Sequence, residues 1–75
     1  MDEIVLPKGV AGISARRLLR RYLKELAEVE SHSTDLQCEI AVCERLLKDG
    51  TVDVSFAGQA QDMRRAFYAV KRMLG

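Results

Sequence analysis

Tryptophan is absent, Pro7 is the only proline and His32 the only histidine. With one histidine, a zinc site would have to recruit most of its four ligands from other residue types. No serine, cysteine or aspartate stands at obvious triad spacing from His32. No glycine-rich phosphate loop is present either, because "GVAGIS" is too short and follows no strand of substance. These absences argue against catalysis, a metal, a cofactor and a small-molecule substrate. No apolar run approaches the roughly 18 residues of a membrane span. The opening "MDEIVLP" carries two acids and no basic segment, unlike a secretory signal. A cytoplasmic protein without a membrane partner is the expectation.

What is present is apolar and helix-forming. Hydrophobic residues make up 48% of the chain and charged residues 31%, too apolar a mixture for a disordered tail. Aromatics are only 5%, and Leu, Ala and Arg are the commonest residues, as in helical bundles and hairpins. A chain of 75 residues makes one domain with a modest core, the size at which a partner or an oligomer commonly adds stability. The formal net charge of +1 offers no global attraction for nucleic acid. Cys38 and Cys43 would point about 140° apart on one helix, so they cannot bridge there. They read as small semi-buried hydrophobes.

Along the chain, Pro7, Gly9 and Gly12 predict a flexible or extended arm over residues 1–12, ahead of a single helical-hairpin domain over 13–75. Ser14 fits an N-cap. From there Leu19, Tyr22, Leu26, Val29, Ser33, Leu36, Ile40, Cys43 and Leu47 alternate steps of 3 and 4, an unbroken heptad seam. That register favours one helix over about 14–49. The polar waist Ser31–Asp35 offers the alternative of a kink, or of a break into a three-helix bundle. Thr34 with Gln37 would form a capping box there, or Ser31 or Ser33 would cap. Gly50 suits the end of that helix. Thr51–Ser55 reads as a connector with local β character, too short for a sheet. Phe56, Ala60, Met63, Phe67, Val70 and Leu74 form the seam of a last helix over about 57–74. The expected fold is all-α, an antiparallel helical hairpin with coiled-coil-like seams. Arg64 and Arg65 would then lie near Glu39, and Lys71 and Arg72 near Glu30 and Asp35.

A long helix of about 52 Å cannot be covered by a partner of about 27 Å. The uncovered half would expose Leu18, Leu19, Tyr22, Leu23, Leu26 and Val29, an apolar patch that calls for an occupant. Arg16, Arg17, Arg20, Arg21 and Lys24 flank it, with no acid among them. The function this predicts is a non-catalytic protein–protein interaction module: an adaptor, a chaperone-like partner or an inhibitor. Its anchors would be Leu19, Tyr22, Leu23 and Leu26, and its charged rim Arg16, Arg17, Arg20 and Arg21. The partner would be another protein or a second copy of the chain as a homodimer. A small dimeric nucleic-acid-binding regulator using the Arg16–Lys24 band is the alternative.

The stretch "CERLLKDGTVDVSFAGQAQDMRRAFYAVKRML", read as helix, short loop and apolar helix, resembles in architecture the small co-chaperones of type III secretion needle subunits. That resemblance implies a helical protein that acts by covering another protein. The basic "RRLLRR" has no counterpart in it.

Overall fold

Local sequence rules govern the second and third helices. A computed structural model describes residues 2–29 and 33–75. Helix α2 spans Thr34–Asp49. Its N-cap is Ser33, whose hydroxyl accepts the Leu36 N–H at 3.2 Å. The Thr34–Gln37 box is therefore not the cap. Asp35 lies in its first turn and Lys48 in its last, both matching the helix dipole. Gly50, at φ 77°, closes it by donating to the Leu46 carbonyl at 2.8 Å. Helix α3, Gln61–Leu74, has the same charge order, with Asp62 first and Lys71 and Arg72 last.

The first helix departs from the expectation at both ends. Helix α1 spans Gly9–Glu28, so residues 9–12 belong to it and Ser14 is not its cap. Gly9 enters at φ 71°. Gly12 is buried, and a Cβ there would overlap the Pro7 carbonyl oxygen. Both glycines thus serve the helix, one by its positive φ and one by letting the preceding backbone lie against it. At the other end Val29 is extended, and α2 starts afresh at Thr34. The continuous helix over 14–49 is corrected to two. A 3–4 spacing survived the break because heptad register carries no information about what lies between its members. Continuity would leave Leu19 and Leu26 in water, whereas folding back leaves them 0% and 7% exposed. Each such burial stabilises by about 1.5–3 kcal/mol. Glu30, Ser31 and His32, the sites of an expected ion pair, a cap and the lone imidazole, lie outside the described residues.

The chain is mostly helical but not all-α. Strand β1, Glu3–Val5, pairs antiparallel with strand β2, Thr51–Asp53, with Ile4 opposite Val52. The Thr51 hydroxyl donates to the Ile4 carbonyl at 3.1 Å, and the Leu6 N–H to Gly50 at 2.9 Å. Ile4, Leu6 and Val52 face inward and join the core, so the expected arm is anchored over residues 2–6. The Asp2 carboxylate extends this tie to α3, accepting from the Tyr68 hydroxyl at 2.6 Å and the Lys71 ammonium at 3.5 Å.

After β2, a 3-10 turn over Val54–Ala57 carries Phe56 back beside Arg45, 5.3 Å from ring centroid to guanidinium carbon. Helix α3 then starts beside the beginning of α2, where Arg65 faces Asp35 at 4.0 Å. It finishes with Leu74 beside Ile4 and Leu6, near the far end of α2. An antiparallel hairpin would put the start of α3 at the end of α2, so these contacts correct the expected hairpin; Arg65 still shares a groove with Glu39, but Asp35 pairs with Arg65 and Lys71 with Asp2. Phe67, Leu46, Val42, Val70, Cys43 and Leu19 are the largest fully buried side chains, and they lie where the three helices meet.

Candidate binding surface on the first helix

Helix α1 turns Gly12, Leu19 and Leu26, spaced by seven, into the protein. Tyr22 and Leu23 flank that line and are half-buried against the core. The Tyr22 hydroxyl donates to Glu39 of α2 at 3.2 Å. Burial first, and the Glu39 carboxylate second, push its pKa up to about 12. The four expected anchors are thus used inside the molecule: Leu19 and Leu26 are buried, Tyr22 and Leu23 half-covered. Arg16 also leaves the expected rim. It is half-buried, with its guanidinium against Gly50 at the C-terminal end of α2, where a positive charge suits the helix carbonyls.

Arg17, Arg20 and Arg21 stay exposed, as does Lys24. They share the outer face with Val10, Ile13 and Leu18, which are 80%, 59% and 40% exposed. Val10 falls within the arm expected over residues 1–12, and Ile13 just ahead of the helix expected from about 14, so neither is an expected surface residue. Their i, i+3 spacing continuing to Arg17 and Arg21 is the amphipathic signal that a helix starting at Gly9 reveals.

The charges on this face are poorly matched within the chain. Elsewhere three of the six cations find partners: Arg45 with Asp49 at 2.9 Å, Arg65 with Asp62 at 3.6 Å, Lys71 with Asp2 at 3.5 Å. Among the described residues, Arg17, Arg20, Arg21 and Lys24 have no ion-pair partner within that reach. Arg16 and Arg20, Arg17 and Arg21, and Arg20 and Lys24 stand four apart, each like-charge pair costing about 0.2–0.5 kcal/mol. Helix α1 also lacks an acid in its first turn and a base in its last, the reverse of α2 and α3.

Beside this face runs an open groove of about 400 Å³, bounded by Val5, Pro7 and Leu74 on one side and Ala11, Ser14 and Leu18 on the other. Its lining is mainly apolar. A shallower hollow over Ser14, Arg17, Leu18 and Arg21 adjoins it across Leu18. A third groove, between α2 and α3, mixes Asp35 and Glu39 with Arg65 and Arg72 and shows no single preference of charge.

Both thiols are buried. Burial, then Glu39 and Glu44, push Cys43 up to about 12, and burial raises Cys38 as well. Protonated thiols of this kind are poor nucleophiles and poor metal ligands. Among the described residues no group of three or more His, Cys, Asp or Glu side chains could hold a metal ion. No helix among them is long and apolar enough to cross a membrane. No protein-family model matches the chain, and neither the curated proteins nor the solved structures include one significantly similar to it.

Proposed function

We propose that the protein is a non-catalytic binding module that recognises a protein partner through the outer face of α1. One observation carries the reading: Arg17, Arg20, Arg21 and Lys24 are exposed and lack ion-pair partners among the described residues, on the same face as exposed Val10, Ile13 and Leu18. Of the expected basic rim, this reading keeps Arg17, Arg20 and Arg21 and drops the half-buried Arg16. Its apolar half moves from Leu19, Tyr22, Leu23 and Leu26 to the N-terminal turns of α1. Homodimerisation through the heptad seam loses its basis, since Leu19, Cys43 and Leu26 are already buried within one chain. The adaptor, chaperone-like and inhibitor roles all reduce to occupancy of this one face. Inert, buried thiols fit a role without chemistry.

The same cations could contact phosphates, which is the nucleic-acid alternative. The exposed aliphatic side chains among them favour a protein, because such side chains gain little against a phosphate backbone.

A photo-crosslinking residue placed at Ile13, with Glu44 of α2 as the control position, tests the face in cell extract. Crosslinks to a defined protein at position 13, absent at 44 and lost on Arg17→Glu plus Arg21→Glu, are expected. Equal labelling from both positions would refute the assignment of the face.

A further inference from the structure

We infer that the occupant of this face is an acidic amphipathic segment of a partner protein, with carboxylates against Arg17, Arg21 and Lys24 and an apolar side chain in the groove between Pro7, Leu18 and Leu74. The inference rests on the α1-face reading and adds the chemistry of the partner.

Three features of the surface specify that chemistry. The first is charge. Lys8, Arg16, Arg17, Arg20, Arg21 and Lys24 put six cations and no acid between residues 8 and 24, while the rest of the chain holds six cations and eleven acids. Carboxylates laid across this band would relieve the repulsion among cations four apart, so binding gains what folding loses there. Four of the chain's own acids are poor candidates for that role in a second copy. Asp2, Asp35, Asp49 and Asp62 already face Lys71, Arg65 or Arg45.

The second feature is the apolar component. Leu18 borders both the groove and the Arg17–Arg21 hollow, so one ligand can fill the first while its charged flank meets the second. An amphipathic helix, with apolar and acidic residues on adjoining faces, has that form. The third is extent. From Arg17 to Lys24 the helix rises only about 10 Å. Glu25 and Glu28 follow at once and would repel a phosphate track continuing along the axis. No Trp or Phe lies on α1 to seat it in a lipid interface.

The experiment compares four probes by fluorescence anisotropy or, for lipid, sedimentation. They are a synthetic amphipathic helix of glutamate and leucine, its sequence-scrambled form, a short DNA duplex, and vesicles of phosphatidylcholine with phosphatidylserine. The amphipathic peptide should bind best. Arg17→Glu plus Arg21→Glu, and separately Leu18→Asp, should each weaken it on the order of tenfold. All three positions are exposed, and circular dichroism checks that each variant remains folded. Leu18→Asn provides a milder second probe of the groove. Failure of the parent to bind the peptide overturns the inference, as does equal binding of the scrambled form or of the double charge reversal. Tighter binding of the duplex or the vesicles, indifferent to Leu18→Asp, also overturns it while leaving the α1 face as the site. Equal crosslinking from positions 13 and 44 in the parent would instead remove the face itself.

Discussion

Replacing Gly12 by alanine separates a helix governed by local propensity from one governed by its neighbours. In an isolated helix, Gly→Ala in the interior stabilises by about 0.8–1.0 kcal/mol. In this fold the new Cβ would overlap the carbonyl oxygen of Pro7, a backbone atom that can retreat only if the junction between β1 and α1 moves. Overpacking of this kind costs about 1–3 kcal/mol, and a backbone obstacle belongs at the upper end of that range. The net expectation is a loss of about 2 kcal/mol. For a domain of this size, that lowers Tm by on the order of 10 °C. Thermal melts followed by far-ultraviolet circular dichroism, with chemical denaturation as a second measure, provide the readout. Ala11→Gly, at an exposed neighbouring position, calibrates intrinsic propensity and should lose about 1 kcal/mol. A Gly12→Ala protein as stable as the parent, or more so, would refute the close approach of Pro7 to α1. The groove bounded by Pro7 and Leu18 would fall with it.

Leu19→Ala should cost about 2–5 kcal/mol in denaturant melts, whereas Leu18→Ala, one residue earlier but 40% exposed, should cost far less; equal losses would contradict the orientation of α1. Arg20→Glu replaces two like-charge pairs, with Arg16 and Lys24, by opposite-charge pairs and should stabilise by about 1 kcal/mol, read as a higher Tm at low salt that fades at high salt. Tyr68→Phe should raise the Asp2 pKa toward its ordinary 3.8 in an NMR titration, because the Tyr68 hydrogen bond, followed by Lys71, is what lowers it. The sign follows from that lowered value: the contribution of Asp2 is present above 3.8 and lost as pH falls below it, so Tyr68→Phe should blunt the acid limb of stability. Tyr22 and Cys43 act oppositely, since folding raises them from 10.0 and 9.0 to about 12. Their contribution is complete below those ordinary values and declines as pH rises toward 12, which alkaline denaturation of Tyr22→Phe should show as a weaker pH dependence.

Much of the local architecture was legible because it depends on residues close in sequence. Gly50 ends α2 because the left-handed conformation there costs glycine nothing. The end of α3 at Leu74 matches the expected helix over about 57–74, but its start does not: the 3-10 turn over Val54–Ala57 takes Phe56 out of the expected seam, and α3 begins only at Gln61, after Ala60. The basic band stands out in the sequence, and exposure follows from charge for Arg17, Arg20, Arg21 and Lys24. Arg16 is the exception, and its guanidinium lies against both Gly12 and Gly50.

The anchors were misplaced for a different reason. Leu19 and Leu26 are as apolar as any interface residue, and periodicity shows that they share a face without showing what meets it. Long-range pairing decides that. The Ile4 carbonyl accepts from Thr51, 47 residues away, and Tyr68 reaches Asp2 across 66. These contacts draw β1 into the core and bring Pro7 down on Gly12. No local propensity encodes them, since loop closure costs entropy that only the assembled core offsets. The sequence by itself determined a mostly helical chain with a self-repelling basic segment and a stop at Gly50. The tertiary structure decided that the helix breaks after Glu28, that its leucines face inward, and that Val10, Ile13 and Leu18 remain outside beside the arginines.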